Sequence, residues 1–426
     1  MPAWSRRRPA IARPHSERRR ARPRRAGAAR APEKSDAPEL GLEIARLAAG
    51  GEGVGRAPDG RVVFVPFTAP GDRVRVRLTE ERPRFARAEV RELLARGPSR
   101  TDPVCAVFGS CGGCAWQHVE YAAQLEAKRA IVEDAFVRIA GLALPGPFAI
   151  VPSPSPYAWR SRTRIFSDAG RVGYRRRSSR ALQATSRCPV LLPDLDAALS
   201  ALAADPPGDG ELELAQGDGA PRTTPLAHGG AAAPGPPIGV RVGPDRLEIS
   251  PGVFFQAHAG LRDALLDAAL EAAGSGALAA DLFAGAGFFT LGLSRRFERV
   301  LAVEADAAAA ADLRRNVAQA RRDNVEAIEA PVERALGRAR EAETVLLDPP
   351  RTGLPRGAAA ALAAGSARRI VYVSCEPSTL ARDLATFHGR GLAPTRVMAF
   401  DLFPQTPHVE VLAVLERGLA QPGRCA

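Results

Sequence analysis

Four cysteines of this chain are spaced for soft-metal chemistry. Cys105, Cys111 and Cys114 form a C-x5-C-x2-C triplet with Gly112-Gly113 inside the tight pair, and Cys188 follows much later, directly before Pro189. The glycines let backbone approach sulfur closely. Four thiolates with no nearby histidine pair suit an iron–sulfur cluster or an all-cysteine zinc site. Two disulfides are a third arrangement, disfavoured in a reducing compartment. Structural zinc usually shows two close pairs, whereas a triplet plus a remote cysteine followed by proline matches iron–sulfur practice, so a 4Fe–4S cluster is expected. His118 reads as a packing or surface residue, and Cys425 as an incidental thiol. A fifth cysteine is placed for different work. Arg369–Val373 reads as a strand leading into Ser374-Cys375-Glu376-Pro377, and the carboxyl end of a parallel strand faces a ligand crevice. Cys375 is therefore a candidate nucleophile, and helix N-terminal amides from Ser378-Thr379 onward are expected to lower its pKa.

Two more strand ends carry polar chemistry. Leu278–Phe283 reads as a strand containing Asp281, Ala284-Gly285-Ala286-Gly287 as a turn, and a helix is expected from about Phe288. The next strand, Val300–Val303, ends at Glu304, placed to accept hydrogen bonds from a ribose. Thr290 stands where a dinucleotide fingerprint needs its third glycine, and an aspartate just before the turn is typical of S-adenosylmethionine (SAM) methyltransferases. The strand Thr344–Leu347 ends in Asp348-Pro349-Pro350-Arg351-Thr352-Gly353. Amino-methyltransferases use such an Asp-Pro-Pro with an aromatic next, where this chain has Arg351.

The elements that position these residues follow from composition and periodicity. At 426 residues the chain has room for two to four domains. A hydrophobic fraction of 46% supports a real core, and no apolar stretch is long enough to span a membrane. The net charge of +12 points to a polyanionic partner. Residues 1–36 carry eleven arginines and Lys34 against three acids, without apolar periodicity, and read as a disordered tail or as the product of a misplaced start. Over 38–97, Val74, Val76 and Leu78 alternate with Arg73, Arg75 and Arg77, which suits a small β-barrel with a basic face. An amphipathic helix is expected from Gln117 to about Ile139. Residues 157–187 hold nine arginines and one acid, interleaved with Tyr157, Trp159, Phe166 and Tyr174, the composition of a single-strand RNA-binding surface. Residues 204–238 read as loop with one short strand, Glu211–Leu214, and from about 251 strands and helices alternate as in a doubly wound parallel sheet.

Taken together the motifs resemble the RNA uracil-5-methyltransferase family, from about Gly41 to the C-terminus. The resemblance rests on a TRAM-like barrel, Cys105 with the Cys111–Cys114 pair and Cys188, Phe254-Phe255-Gln256, the Asp281-Leu282-Phe283 Gly turn, Asp348-Pro349-Pro350-Arg351, Ser374-Cys375-Glu376-Pro377, and Asp401-Leu402-Phe403-Pro404 followed by His408-Val409-Glu410. It implies a multidomain chain: a tail (1–37), an OB-like TRAM barrel (38–97), an α+β iron–sulfur and RNA-binding domain (98–250) whose 117–140 helix packs on the catalytic domain, and a Rossmann-like doubly wound methyltransferase domain (251–426). It also implies that Cys105, Cys111, Cys114 and Cys188 hold a 4Fe–4S cluster. Gln256, Phe283, Gly285, Gly287, Glu304 and Asp348 would surround SAM, with Cys375 as nucleophile and Glu410 as general base. The implied reaction is methylation of carbon 5 of a uridine, in ribosomal rather than transfer RNA, by a cytoplasmic monomer.

The chain departs from the family at three places. Phe288 replaces an Asn, His258 ends the Gln-Val-Asn equivalent, and Pro331 stands where an adenine contact is common. Two rival readings are an amino-directed methyltransferase using Asp348-Pro349-Pro350, which has no need of Cys375, and a non-catalytic iron–sulfur RNA-binding relic, against which the intact Cys375 and Glu410 argue. A cytosine-5 enzyme would show a second cysteine where this chain has Asp348-Pro349-Pro350.

Overall fold

The computed structural model describes residues 39–226 and 235–418. The tail reading, Cys425 and the middle of the 204–238 segment lie outside the described residues.

The first sheet has six strands, Glu39–Glu43, Arg46–Leu47, Gly53–Arg56, Val62–Val65, Arg73–Glu81 and Phe85–Ala95, in the spatial order first, fifth, sixth, fourth, third, second. Its core is the apolar half of the alternation: Val63, Val65, Val74 and Val76 are fully buried. The outward arginines are not a bare cationic stripe. Arg75 pairs with Glu92 at 2.6 Å and Arg77 with Glu89 at 2.5 Å, across to the neighbouring strand. Cross-strand acids, invisible in a single period-2 run, thus neutralise part of the basic face.

Next comes an antiparallel sheet of five strands, in the order Leu182–Ala184, Arg171–Arg175, Arg162–Asp168, Gly210–Ala215, Arg222–Leu226. The helix Pro193–Ala204 covers one face, packing Leu195 and Leu199 against Ile165, Val172, Leu212 and Leu214. The described part of the 204–238 segment thus holds more regular structure than expected. Arg222–Leu226 contains Pro225, which reads as a breaker, but the strand lies at the sheet edge, where a missing N–H is tolerated. A hairpin, Ile238–Val242 with Asp245–Ile249, follows, over residues to which the sequence reading assigned no element. Its signal was present: Val240 and Val242 alternate, Gly243 takes the turn at φ 53°, and Leu247 and Ile249 alternate again.

The third sheet has eight strands, in the order Val325–Glu329, Phe297–Glu304, Gly276–Leu282, Thr344–Leu347, Arg369–Ser374, Glu410–Arg417, Leu392–Phe400, Ile150–Val151. Apolar clusters lie on both faces. One unites Leu380, Leu384 and Phe387 with Phe136 and Tyr372, and the other unites Leu265 and Leu266 with Val371 and Val373. The alternating grammar predicts a parallel sheet, and the observed sheet departs from that at one strand. Glu410–Arg417 runs antiparallel to both neighbours, because the nine residues 401–409 are too few for a parallel crossover.

Two helices differ from the sequence reading. The helix expected from Gln117 starts at Tyr121, runs to Ala135 and continues as a π-helical turn, Phe136–Ala140, closed by Gly141 at φ 65°. Gln117 instead accepts a hydrogen bond from the Cys105 N–H at 3.1 Å. The helix expected from Phe288 is a single turn, Thr290–Leu293, because Phe288 and Phe289 pack edge to face in the core and the next strand begins at Phe297. No helix among the described residues is long and apolar enough to cross a membrane.

Candidate active site and cysteine cavity

The reversed strand creates the site. Parallel strands deliver their carboxyl ends to one edge of the sheet: Leu282, Glu304, Leu347 with Asp348, and Ser374 with Cys375. An eighth parallel strand would start at the far edge. Because Glu410–Arg417 is antiparallel, with Val411 opposite Ser374, its first residue meets this same edge. Glu410 therefore faces Cys375, though 35 residues separate them in sequence.

Electrostatic neighbours define the group. Burial pushes the Cys375 thiol up to about 12, the Glu410 and Asp348 carboxylates push the same way, and the nearby Arg351 guanidinium opposes them. The expected lowering by helix amides is thus overturned: burial and two carboxylates outweigh the helix beginning at Pro377. Glu410 is buried and held well above the ordinary carboxylate range by burial and by Asp348, with Arg351 opposing. Asp348 remains partly solvent-reached at the crevice surface but is crowded by protein, and burial followed by the Asp281 charge raises it to about 7. His408 is lowered to about 4 by burial and then by Arg351. The sequence motifs include Arg351 but give it no role, and no local pattern foretells a raised Glu410.

The glycine turn closes the other end of the crevice. Glu304 accepts from the Gly285 N–H at 2.8 Å and the Asp306 N–H at 2.7 Å, which fixes its carboxylate beside the turn. Gly285 and Gly287 take φ 55° and 97°, and Phe283 takes φ 67°, a left-handed conformation costly for a bulky residue and typical of ligand sites. Asp281 is fully buried, raised to about 7 by burial, and accepts from Thr290 Oγ1 at 2.5 Å, while its Oδ1 has no partner. A buried carboxylate oxygen left unpaired is expensive unless a ligand completes it. Gln256 is buried next to Phe254, whose side chain is 76% exposed.

The three departures have structural work. His258 stacks on Trp159 with centroids 5.3 Å apart, meets Ser153 Oγ through Nε2 at 2.8 Å and accepts the Leu261 N–H at Nδ1. Phe288 is buried against Phe255 and Phe289. Pro331 precedes the first turn of the helix Val332–Ala339.

The four other cysteines converge on a separate cavity of about 400 Å³, lined also by Tyr174, Arg160 and Arg187. All four are free thiols. Burial raises Cys111 and Cys188, and pushes Cys114 up to about 12, where the charges of Cys188, Cys111 and Cys105 all add. Among the described residues, no group of three or more His, Cys, Asp or Glu stands in a geometry that holds a metal ion.

Part of the expected base-stacking surface is interior. Trp159 is buried in its stack with His258, and the Tyr174 hydroxyl is buried at the cysteine cavity beside Cys188. Arg162 is spent on a buried bidentate pair with Glu213 at 2.9 and 3.0 Å. Phe166 lies under the Arg175 guanidinium, 3.8 Å from its ring centroid, and Arg164, Arg171, Arg176 and Arg180 remain exposed.

Comparison with known proteins finds relatives over most of the chain. Residues 246–418 match the family model described as tRNA (uracil-5-)-methyltransferase, and residues 39–90 match the TRAM domain. The chain is 33% identical to a 23S rRNA (uracil(1939)-C(5))-methyltransferase of Chromohalobacter salexigens, covering 90% of each chain. It is 32% identical to an uncharacterized RNA methyltransferase of Streptomyces coelicolor, covering 89% of this chain and 93% of that one. The solved structure of a Pyrococcus abyssi tRNA (uracil-54, C5)-methyltransferase with S-adenosyl-L-homocysteine superposes with a TM-score of 0.70 at 24% identity, over 88% of this chain and all of that one.

Proposed function

The chain belongs to the RNA uracil-5-methyltransferase family, and we propose that it methylates carbon 5 of a uridine in ribosomal RNA through a covalent adduct with Cys375. The observation that carries this reading is the reversal of Glu410–Arg417, which sets a carboxylate against a strand-end thiol at the crevice edge. Ribosomal RNA is favoured because full-length relatives above 30% identity are named for it.

Carbon 5 of uracil is a poor nucleophile. Addition of the Cys375 thiolate at carbon 6 forms an S–C bond and an enolate, rich in electrons at carbon 5. Carbon 5 then takes the methyl group of SAM, leaving S-adenosylhomocysteine. Glu410 removes the carbon 5 proton, the C5–C6 double bond re-forms, and the thiolate leaves. The base must leave any stack to reach the crevice. Arg351, whose positive charge lies near the thiol, is the group that favours the thiolate in a setting where burial opposes it. Asp281 with its unpaired oxygen, Asp348, Glu304, Phe283, Gly285, Gly287 and Gln256 form the SAM side of a Rossmann-like domain. The positive donor offsets the clustered carboxylates that raise each other.

The test is methyl transfer from labelled SAM to ribosomal RNA lacking uracil modification, followed by nucleoside mass analysis. The expected product is 5-methyluridine. Label on an amino group of adenine or cytosine would overturn the reading.

Cys105, Cys111, Cys114 and Cys188 suit a 4Fe–4S cluster better than zinc. A single zinc with Zn–S bonds of about 2.3 Å needs four sulfurs nearly in contact. Here the four thiols share the lining of one cavity of about 400 Å³ that carries no His, Asp or Glu, an all-sulfur donor set. Bound iron would favour the thiolate forms that burial and the neighbouring cysteines oppose at Cys114. Anaerobically purified protein is expected to be brown, with about four irons and sulfides per chain by analysis. Colourless protein carrying one zinc would refute the cluster.

A further inference from the structure

The loop that delivers Glu410 is clamped from outside the methyltransferase sheet. Residues 401–409 join the strand Leu392–Phe400 to Glu410–Arg417. Asp401, at the start of the loop, forms an ion pair with Lys128 of the helix Tyr121–Ala135, both side chains fully buried. Lys128 Nζ also donates to the Phe403 carbonyl at 3.0 Å, and the Tyr121 hydroxyl donates to Asp401 Oδ2 at 2.8 Å. One helical turn from Lys128, Gln124 and Gln405 are locked reciprocally. Gln124 Nε2 donates to Gln405 Oε1 at 3.0 Å, and the Gln405 N–H donates to Gln124 Oε1 at 3.0 Å. Gln405 is left-handed at φ 68°, and its carbonyl accepts the N–H groups of Ala115 and Trp116, next after Cys114, both at 3.0 Å. His408 and Glu410 follow three and five residues later.

A buried ion pair is weak evidence for stability, because desolvation offsets most of the attraction; its attested use is to fix one arrangement among several. Here two polar pairs sit four residues apart on the buried side of one helix and close on one loop. We infer that Lys128, Asp401, Gln124 and Gln405 are positioning residues that hold the 401–409 loop so that the Glu410 carboxylate reaches the covalent intermediate. The inference rests on the reading of Glu410 as the base. It predicts a step-specific defect, because Cys375 sits on a different strand end and a displaced Glu410 carboxylate raises its thiol less, so adduct formation is not slowed.

The test uses the full-length protein carrying Lys128→Met with Asp401→Leu, an apolar replacement of the whole pair that spares the core a lone charge. Single-turnover measurements with RNA and SAM then follow formation and release of the RNA adduct. The expected result is adduct formation and SAM affinity like the parent, with release slowed about 10²-fold, the cost of a small misplacement of a catalytic group. Gln124→Met, which leaves the ion pair intact, is expected to slow release in the same sense and carries the test should the double variant not fold. Parental release in the folded variants overturns the inference. So does an equal loss of formation and release, which marks the network as general scaffolding. Glu410→Gln is run alongside. If that substitution does not slow release, the base assignment fails and the inference with it; if it does and the clamp variants do not, the clamp alone is wrong.

Discussion

Replacing Cys375 by alanine is expected to abolish methyl transfer, by on the order of 10⁴-fold or more, while RNA and SAM still bind. The loss is large because no other group at this edge can take over the step. Asp348 and Glu410 are carboxylates, too weakly nucleophilic to add to uracil, and Arg351 carries no free electron pair. Binding survives because the side chain is small and contributes nothing to the sheet: the strand Arg369–Ser374 ends one residue before it. Filter binding to RNA and calorimetric SAM titration check the second half of the expectation, and label transfer checks the first. Full retained activity in the alanine variant would eliminate covalent catalysis here.

Glu410→Gln is expected to split the reaction. Overall turnover falls by about 10²- to 10⁴-fold, the usual cost of losing a general base, yet the adduct accumulates as a protein–RNA band stable to denaturing gels. The charge effect runs in the same direction. After burial, Glu410 is the largest influence raising the Cys375 thiol. A neutral amide removes that influence, so the thiolate forms more readily and adduct formation is as fast as in the parent or faster. The proton on carbon 5 then has no acceptor, and elimination waits. No adduct above the parental level, with turnover reduced, would assign Glu410 to another step.

Much of the site was legible residue by residue. Cys375 was found because its strand is uniformly apolar and ends in Ser-Cys-Glu-Pro, and strand ends in open α/β sheets face ligands. The glycine turn, Glu304 and the four metal-type cysteines were found by spacing. Glu410 was reached only through family resemblance, because one acid opening a terminal strand is indistinguishable from a solvated one. Lys128 and Gln124 were missed. Their one signal is two polar residues four apart on a helix side that the apolar pattern assigns to the interior, and without a known partner that reads as ordinary interruption.

The sequence by itself determined which groups exist and which local elements carry them. Period-2 runs set the barrel strands, glycines set the turn, and proline or glycine punctuation set most boundaries, since these depend on interactions within a few residues. Only the tertiary structure decided how those groups act on one another. The antiparallel return of Glu410–Arg417 brought a carboxylate to a thiol 35 positions away. Burial reversed the expected direction of the Cys375 shift, withdrew Trp159 and the Tyr174 hydroxyl from the surface, and made an ion pair from Lys128 and Asp401, 273 residues apart. The physical reason is common to all four. Desolvation and Coulomb interactions depend on what surrounds a group in space, and that is a property of the packed chain rather than of any stretch of it.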